Sequence, residues 1–362
     1  MEARCLVFGG DGKVAADRCY IPGPGAAEVL IETMLSCISP GTELRVLAGQ
    51  QPGLGPDSYP LIPGYSLVGR VIARGSAVDA ALDGAVVSCA GTAHSNFRHG
   101  WGGHVSHAVA PAAAVIPVAP TIDQADAVLA QIAGIAQRGV RLARPQPGET
   151  VAVLGLGLIG QLSARLFART GADVVAGGTA REQVAAAARA GIKAVLVERD
   201  SIRSMRKLRP RGANIVVDAT GNPAALQLAV ELAAEKPWAD DSLGGARLVV
   251  QGSYPAELAF PHHAAFQKEL TVLWPRFSTR TDIVQALSAV ENREVRYGDL
   301  LSEEARPDDA PDVYRRLRSD RRGMITAAFR WGPGGDRASS AAPTVEAKPR
   351  SSPSFLRGLF GG

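Results

Sequence analysis

The chain has 362 residues, of which 46% are apolar and 20% charged, with 40 Gly, 24 Pro and a formal charge of +4. That balance excludes a disordered chain and a disulfide-dependent miniprotein, and the length predicts two domains or one large one. Lys and Arg are scattered and no long basic run is interleaved with aromatics, so no nucleic-acid partner is expected. Cys5, Cys19, Cys37 and Cys89 form no CxxC pair and keep no regular spacing, which reads as reduced, mostly buried thiols. The start, MEARCLVFGGDGK, has an acid at Glu2 and no apolar h-region. Because no stretch approaches the roughly 20 apolar residues of a bilayer span, a cytoplasmic protein with no membrane partner is expected.

In chain order, residues 1 to about 120 read as short strands and turns, with LVFGG, Ala27 to Thr33 and Leu67 to Ala73 bounded by Gly, Pro or Asp. A β-rich, barrel-like domain follows from that texture. From about residue 121 the pattern becomes Ala-rich and helical, and then strands alternate with helices, the mark of a parallel sheet built from βαβ units. The predicted strands are Thr150 to Leu154, Asp173 to Gly177, Lys193 to Val197, Asn214 to Asp218 and Arg247 to Gln251. After about residue 277 the pattern is mixed and ends in MITAAFRW, predicted as a last strand returning to the first domain. Residues 332–362, rich in Gly, Pro, Ser and Ala, predict a disordered tail whose end, Ser354 to Phe360, reads either as a short docking motif or as an unstructured end.

The strongest local signal is TVAVLGLGLIGQLSARLFARTGADVVAGG, an apolar strand running into Gly155-x-Gly157-x-x-Gly160 and a helix closed by Gly171. Gly155 allows the tight turn, Gly157 lets a pyrophosphate approach, Gly160 lets the helix pack on the strand, and the helix start at Leu158 and Ile159 supplies amides. The competing reading is a merely structural strand-to-helix turn. At the end of the second strand, where an Asp or Glu would accept the ribose hydroxyls of NAD, the chain has Gly177-Gly178-Thr179-Ala180-Arg181. Gly178 and Thr179 leave room and donors and Arg181 offers a cation, so NADP(H) is favoured over NAD(H). Against that, Thr179 and Glu182 also make a capping box, with Arg181 a solvated first-turn residue. Thr220, Gly252 and Ser253, at the ends of later strands, complete the expected cofactor set.

VLIETMLSCISPGTELRVLAG and YPLIPGYSLVGRVIARG resemble the catalytic domain of medium-chain dehydrogenases, with their ICGSDL-like segment followed by PLIPGHE. The glycine motif, the DATG stretch Asp218 to Gly221 and GDLLSEEARPDDAPDVYRRL extend the resemblance to about Trp331. It implies an α/β protein with a GroES-like β-barrel catalytic domain at 1–127 and 278–331 and a Rossmann doubly wound parallel-sheet domain at 128–277, assembled as a homodimer. ISPGTE, PGYS and Ala265 to Glu269 (AFQKE) are similar to a narrower group that includes bacteriochlorophyllide a dehydrogenases, which oxidise a hydroxyethyl side chain to acetyl.

The departures from that pattern bear on the metal. Where zinc-dependent members place a Cys ligand the chain reads Ile38-Ser39-Pro40-Gly41-Thr42-Glu43, and where they place His-Glu it reads Tyr65-Ser66. The third-ligand region, near Ala130 and Gln131, holds no Cys, His or acid. A catalytic zinc needs about three protein ligands, so a zinc-independent site is expected. Tyr65 is then the candidate proton donor, Ser39 and Thr42 orient substrate, and Glu43 pairs or relays. The plainer readings are a space-filling Tyr65 and turn-forming Ser39 and Thr42.

A second cluster, GTAHSNFRHGWGGHVSHAV, holds His94, His99, His104 and His107. It reads as a metal site, as a lid with His99 or Trp101 touching substrate, or as a surface loop followed by a strand with His104 and His107 in ordinary positions. His262 and His263 follow the sheet edge after Gly252-Ser253-Tyr254, near where a nicotinamide should lie, and read as structural ahead of a role in the site. The expected function is NAD(P)-linked interconversion of an alcohol and a ketone or aldehyde on a small-molecule substrate. The alternatives are NADPH-dependent reduction of an enone or quinone double bond, and a non-catalytic nucleotide-binding sensor or scaffold.

Overall fold

The computed structural model describes residues 1–99, 101–197, 202–254, 257–319 and 323–332. The chain divides into two units, one of residues 1–131, 303–319 and the chain from 326, the other chiefly of residues 132–302.

In the first unit, strand Glu2–Phe8 pairs antiparallel with Val14–Tyr20 and, through Phe8, with Leu61–Ile62. A second sheet is built on the long strand Glu28–Cys37, flanked by Leu67–Arg74, by His107–Pro111 and, at its far end, by Thr326–Arg330. Only Glu32 of EVLIETMLSC is exposed, as expected of an apolar, β-branched strand covered on both faces. Cys5, Val7 and Cys19 from the first sheet and Val29, Ile31, Leu67, Val71 and Val87 from the second share one apolar cluster. Each side chain the size of Val or Leu that is buried in this way contributes about 1.5–3 kcal/mol. All four cysteines are buried and free. The return strand read from MITAAFRW is Thr326–Arg330, paired with Glu28–Cys37 as expected.

In the second unit, six parallel strands lie in the order Lys193–Leu196, Asp173–Gly178, Thr150–Leu154, Ile215–Asp218, Arg247–Val250 and Thr271–Leu273. Numbered by sequence within the sheet, that is 3-2-1-4-5-6, a doubly wound order whose topological switch lies between the first and fourth strands. Val151, Ala152 and Val153 are fully buried, as the central strand of a sheet covered on both faces requires. The sixth strand, Thr271–Leu273, is one more than expected.

The sequence reading returned the chain to the barrel at residue 278, and the contacts correct this. Arg141 binds Asp282 (2.7 Å), and Arg165, itself 4% exposed at its side chain, grips Asp299 with two hydrogen bonds (2.6 and 2.8 Å), so residues 280–302 pack with the parallel-sheet unit. The expected tail lies, from residue 333 on, outside the described residues, and so does the motif at Ser354 to Phe360. Among the described residues no helix is long and apolar enough to cross a membrane.

Candidate active site

The first strand of the parallel sheet ends at Leu154, and Gly155 turns the chain with φ +87°, a conformation side chains rarely adopt. A Cβ on Gly160 would lie 1.7 Å from the Gly155 carbonyl oxygen, so only glycine lets helix Leu158–Ala168 start this close to the strand. A Cβ on Gly157 would meet nothing within 4 Å. Gly157 is the N-cap of this helix and carries no side chain to cap it, which leaves the first-turn amides of Leu158, Ile159 and Gly160 their hydrogen-bonding capacity. Gln161 braces the turn by donating to the carbonyls of Leu156 and Gln183. The residues fit a dinucleotide pyrophosphate, which needs close backbone approach and amide donors at a helix N-terminus.

The end of the fourth strand closes the same turn, since a Cβ on Gly155 would touch Thr220 Cγ2 at 3.0 Å. Asp218 is buried and accepts from the Thr220 amide and hydroxyl (3.0 and 2.7 Å), while its carbonyl accepts the amides of Gln251 and Gly252. Burial raises the Asp218 carboxyl above its ordinary range, against the pull of its hydrogen bonds. Burial, and then the nearby Asp218 charge, push the Tyr254 phenol upward. Thr220, Gly252 and Ser253 thus belong to one set of loops beside the glycine turn.

The second strand's end differs from expectation in two respects. Gly178 does not open space, because a Cβ there would meet the Leu156 side chain at 3.0–3.3 Å, and Leu156 is 1% exposed. The Thr179–Glu182 capping box is absent: helix Arg181–Arg189 starts after Ala180, which has no side-chain cap. Arg181 is left exposed on its first turn beside exposed Thr179, with no ion pair among the described residues.

In the first unit, the strand Glu28–Cys37 runs through Ile38 into helix Pro40–Leu47, with Ser39 as its N-cap and Pro40 at the first helical position. Three of the expected residues meet there. The Ser39 and Tyr65 hydroxyls are hydrogen-bonded, and Thr42 Oγ1 lies 3.4 Å from the Tyr65 oxygen. Trp101 packs edge-on against the Tyr65 ring, centroids 5.2 Å apart, and holds φ +99°, a strained setting for a side chain this large. The Tyr65 phenol is pushed up to about 12, chiefly by burial, although its Ser39 and Thr42 hydrogen bonds pull the other way. It is therefore protonated at neutral pH. His99 lies in the two-residue strand Arg98–His99, and its side chain is outside the described residues.

Glu43 pairs with groups other than the Tyr65 hydroxyl, on which it acts through its charge. It is fully buried, with Oε1 accepting the Ser39 amide (2.6 Å) and Oε2 accepting the Tyr314 hydroxyl (2.5 Å) and pairing with His104 Nε2 (2.9 Å). His104, one of the four clustered histidines whose reading was open, is likewise fully buried, and its Nδ1 contacts Ser36 Oγ (2.7 Å), which accepts the Trp331 indole N–H (2.8 Å). Burial and the Glu43 charge hold the Tyr314 phenol far above its ordinary value. Ser66 is buried and donates to the Val128 carbonyl (2.5 Å), and Gln131 donates to Ser88 (3.1 Å). Among the described residues no three His, Cys, Asp or Glu side chains gather where they could hold a metal ion. Sequence reasoning missed Ser36, Tyr314 and Trp331, and the density of His residues was the one signal that touched His104.

The chain matches no protein-family model. It is 27% identical over 287 residues to the L-galactonate-5-dehydrogenase of Escherichia coli K12, covering 73% of this chain and 80% of that one. To the 2-desacetyl-2-hydroxyethyl bacteriochlorophyllide A dehydrogenase of Cereibacter sphaeroides it is 25% identical over 328 residues, covering 88% and 96%. Among solved structures it is similar to an alcohol dehydrogenase of Escherichia coli CFT073 in complex with NADH (TM-score 0.77, 19% identity, 91% and 99% covered). It is similar also to a protein named as a zinc-binding dehydrogenase of Sinorhizobium meliloti 1021, bound to NADP (TM-score 0.77, 21% identity, 91% and 99% covered). The fold is the two-domain α/β fold of the alcohol dehydrogenases. The chain is an oxidoreductase enzyme.

Proposed function

We propose that this oxidoreductase is a cytoplasmic enzyme that interconverts an alcohol and its ketone or aldehyde without a catalytic zinc, with Tyr65 as the proton donor in reduction. The observation that carries the reading is the cluster of three hydroxyls, Tyr65, Ser39 and Thr42, in the segments where zinc-dependent enzymes of similar sequence keep their ligands. The site offers neither thiolate nor imidazole at those positions, and Ser66 spends its hydroxyl on Val128, so the residues present do not fit a first-row metal. A bound nicotinamide would supply or accept the hydride at carbon. As carbonyl becomes alcohol, charge grows on its oxygen, and the protonated Tyr65 hydroxyl donates to that oxygen. The Ser39 hydroxyl, bonded to the phenol, then stabilises the phenolate oxygen left behind.

A panel of L-galactonate, simple secondary alcohols and the matching ketones, with enones and quinones alongside, tests the reaction class. Oxidation or reduction at a carbon–oxygen bond is expected; ketones and alcohols left inert while enones or quinones consume NADPH would replace this reading with double-bond reduction.

For the cofactor we propose NADP(H) over NAD(H), supported by the lack of an acid at Gly177-Gly178-Thr179 and by the exposed Arg181. Arg181→Ala is expected to weaken NADPH at least about tenfold more than NADH, as loss of one charge-assisted contact would. Titration of both cofactors by fluorescence checks this, and equal losses would discard the preference. We also propose a homodimer through the sheet edge, where among the described residues Thr271–Leu273 has one paired neighbour, Arg247–Val250, and Trp274 next to it is 56% exposed. Light scattering should return the mass of two chains, and a monomer at all concentrations would end that part of the proposal.

A further inference from the structure

Ser39 is an N-cap that does not cap. A serine at this position ordinarily accepts an amide of the first helical turn with its hydroxyl, yet helix Pro40–Leu47 has no side-chain cap and the Ser39 hydroxyl is bonded to Tyr65. What pins Ser39 is the Glu43 carboxylate reaching back one turn to its amide. Glu43 in turn is held from behind. The Trp331 indole can only donate, so Ser36 Oγ accepts it, and the same oxygen is hydrogen-bonded to His104 Nδ1. On its other side a carboxylate oxygen can only accept, so His104 Nε2 donates to Glu43 Oε2.

The His104 ring has one seat. Gly64, at φ +86°, carries no Cβ, and one there would lie 2.6 Å from the ring, while Phe329 meets the ring edge-on with centroids 5.3 Å apart. Backbone bonds from the His104 amide to the Pro63 carbonyl and from the Leu6 amide to the His104 carbonyl, both 3.0 Å, fix the residue itself.

We infer that His104 is a positioning residue for the Tyr65 hydroxyl, acting through Glu43 and the Ser39 N-cap. The kinetic side of this role rests on Tyr65 being the proton donor; the geometric side does not. By holding the carboxylate, His104 leaves the Ser39 hydroxyl free of capping duty and aimed at the phenol.

The test uses the full chain with NADPH bound and 3-fluorotyrosine in place of tyrosine, the fluorine resonance missing from Tyr65→Phe being that of residue 65. His104→Phe keeps a ring in the seat and removes both nitrogens. It is expected to move or broaden the residue 65 resonance and to lower kcat about 10- to 100-fold with KM changed by less than about twofold. His104→Gln, which returns a donor to Glu43, is expected to restore both toward the parent values. Should His104→Phe fail to fold, Ser36→Ala removes the Nδ1 partner with a minimal change in volume and is expected to move the same resonance. An unmoved resonance in the folded variants overturns the role, and so does a kcat loss without that movement. If Tyr65→Phe keeps the parent kcat, the proton-donor reading falls, while the fluorine spectrum still decides whether His104 holds residue 65.

Discussion

Tyr65→Phe should lower kcat for carbonyl reduction about 10²- to 10⁴-fold, the range a positioned general acid contributes, with little change in KM. The phenol is the one acidic donor in the hydroxyl cluster, and the Ser39 and Thr42 hydroxyls are far weaker acids that assist it only through their contacts with its oxygen. Burial lifts the phenol to about 12, above the ordinary value near 10. Reduction should therefore show no falling limb from this group below about pH 10. The sign for stability follows from the same shift. The fold favours the neutral phenol, so its contribution is complete below the unfolded value and is lost as the pH rises through about 12, a loss that Tyr65→Phe should remove. Steady-state rates against pH check the first point and urea denaturation at rising pH the second, and a loss in kcat below about tenfold would remove Tyr65 from the chemistry.

Glu43→Ala should destabilise the protein by about 3–5 kcal/mol, the cost of breaking a buried charged network by deleting one member. Three donors, the Ser39 amide, the Tyr314 hydroxyl and the His104 imidazole, would lose their acceptor where no water reaches them, since both Glu43 and His104 are 0% exposed. Glu43→Gln keeps one oxygen acceptor and should cost less. Urea denaturation of the three proteins gives the comparison. A Glu43→Ala loss under about 1 kcal/mol would mean that the network carries little of the first unit's stability.

The parallel-sheet unit was largely legible in the sequence because its signals are local. The strand Thr150–Leu154 was read with its observed ends, and the glycine turn follows from residues five apart. Thr271–Leu273 was not seen, since three residues carry no period, and Val14–Tyr20 was hidden because VAADRCY alternates poorly between buried and exposed. The hydroxyl cluster was half legible: resemblance brought Ser39, Thr42 and Tyr65 forward, but local pattern gave them no geometry. The network behind them was not legible, because Ser36 and Trp331 are 295 positions apart and Glu43 and Tyr314 are 271 apart. Nothing in the spacing of GGHVSHAV distinguishes a histidine buried against a distant glutamate from one on an ordinary strand.

The measurement that bears most directly on a hydroxyl-based site is the zinc content of active enzyme, taken by mass spectrometry on protein purified without chelator and again after exhaustive chelation, with turnover recorded on both samples. Full turnover with zinc far below one equivalent per chain, unchanged by chelation, is the predicted result. Turnover that falls with the removal of a stoichiometric zinc, and returns when zinc is added back, would contradict it.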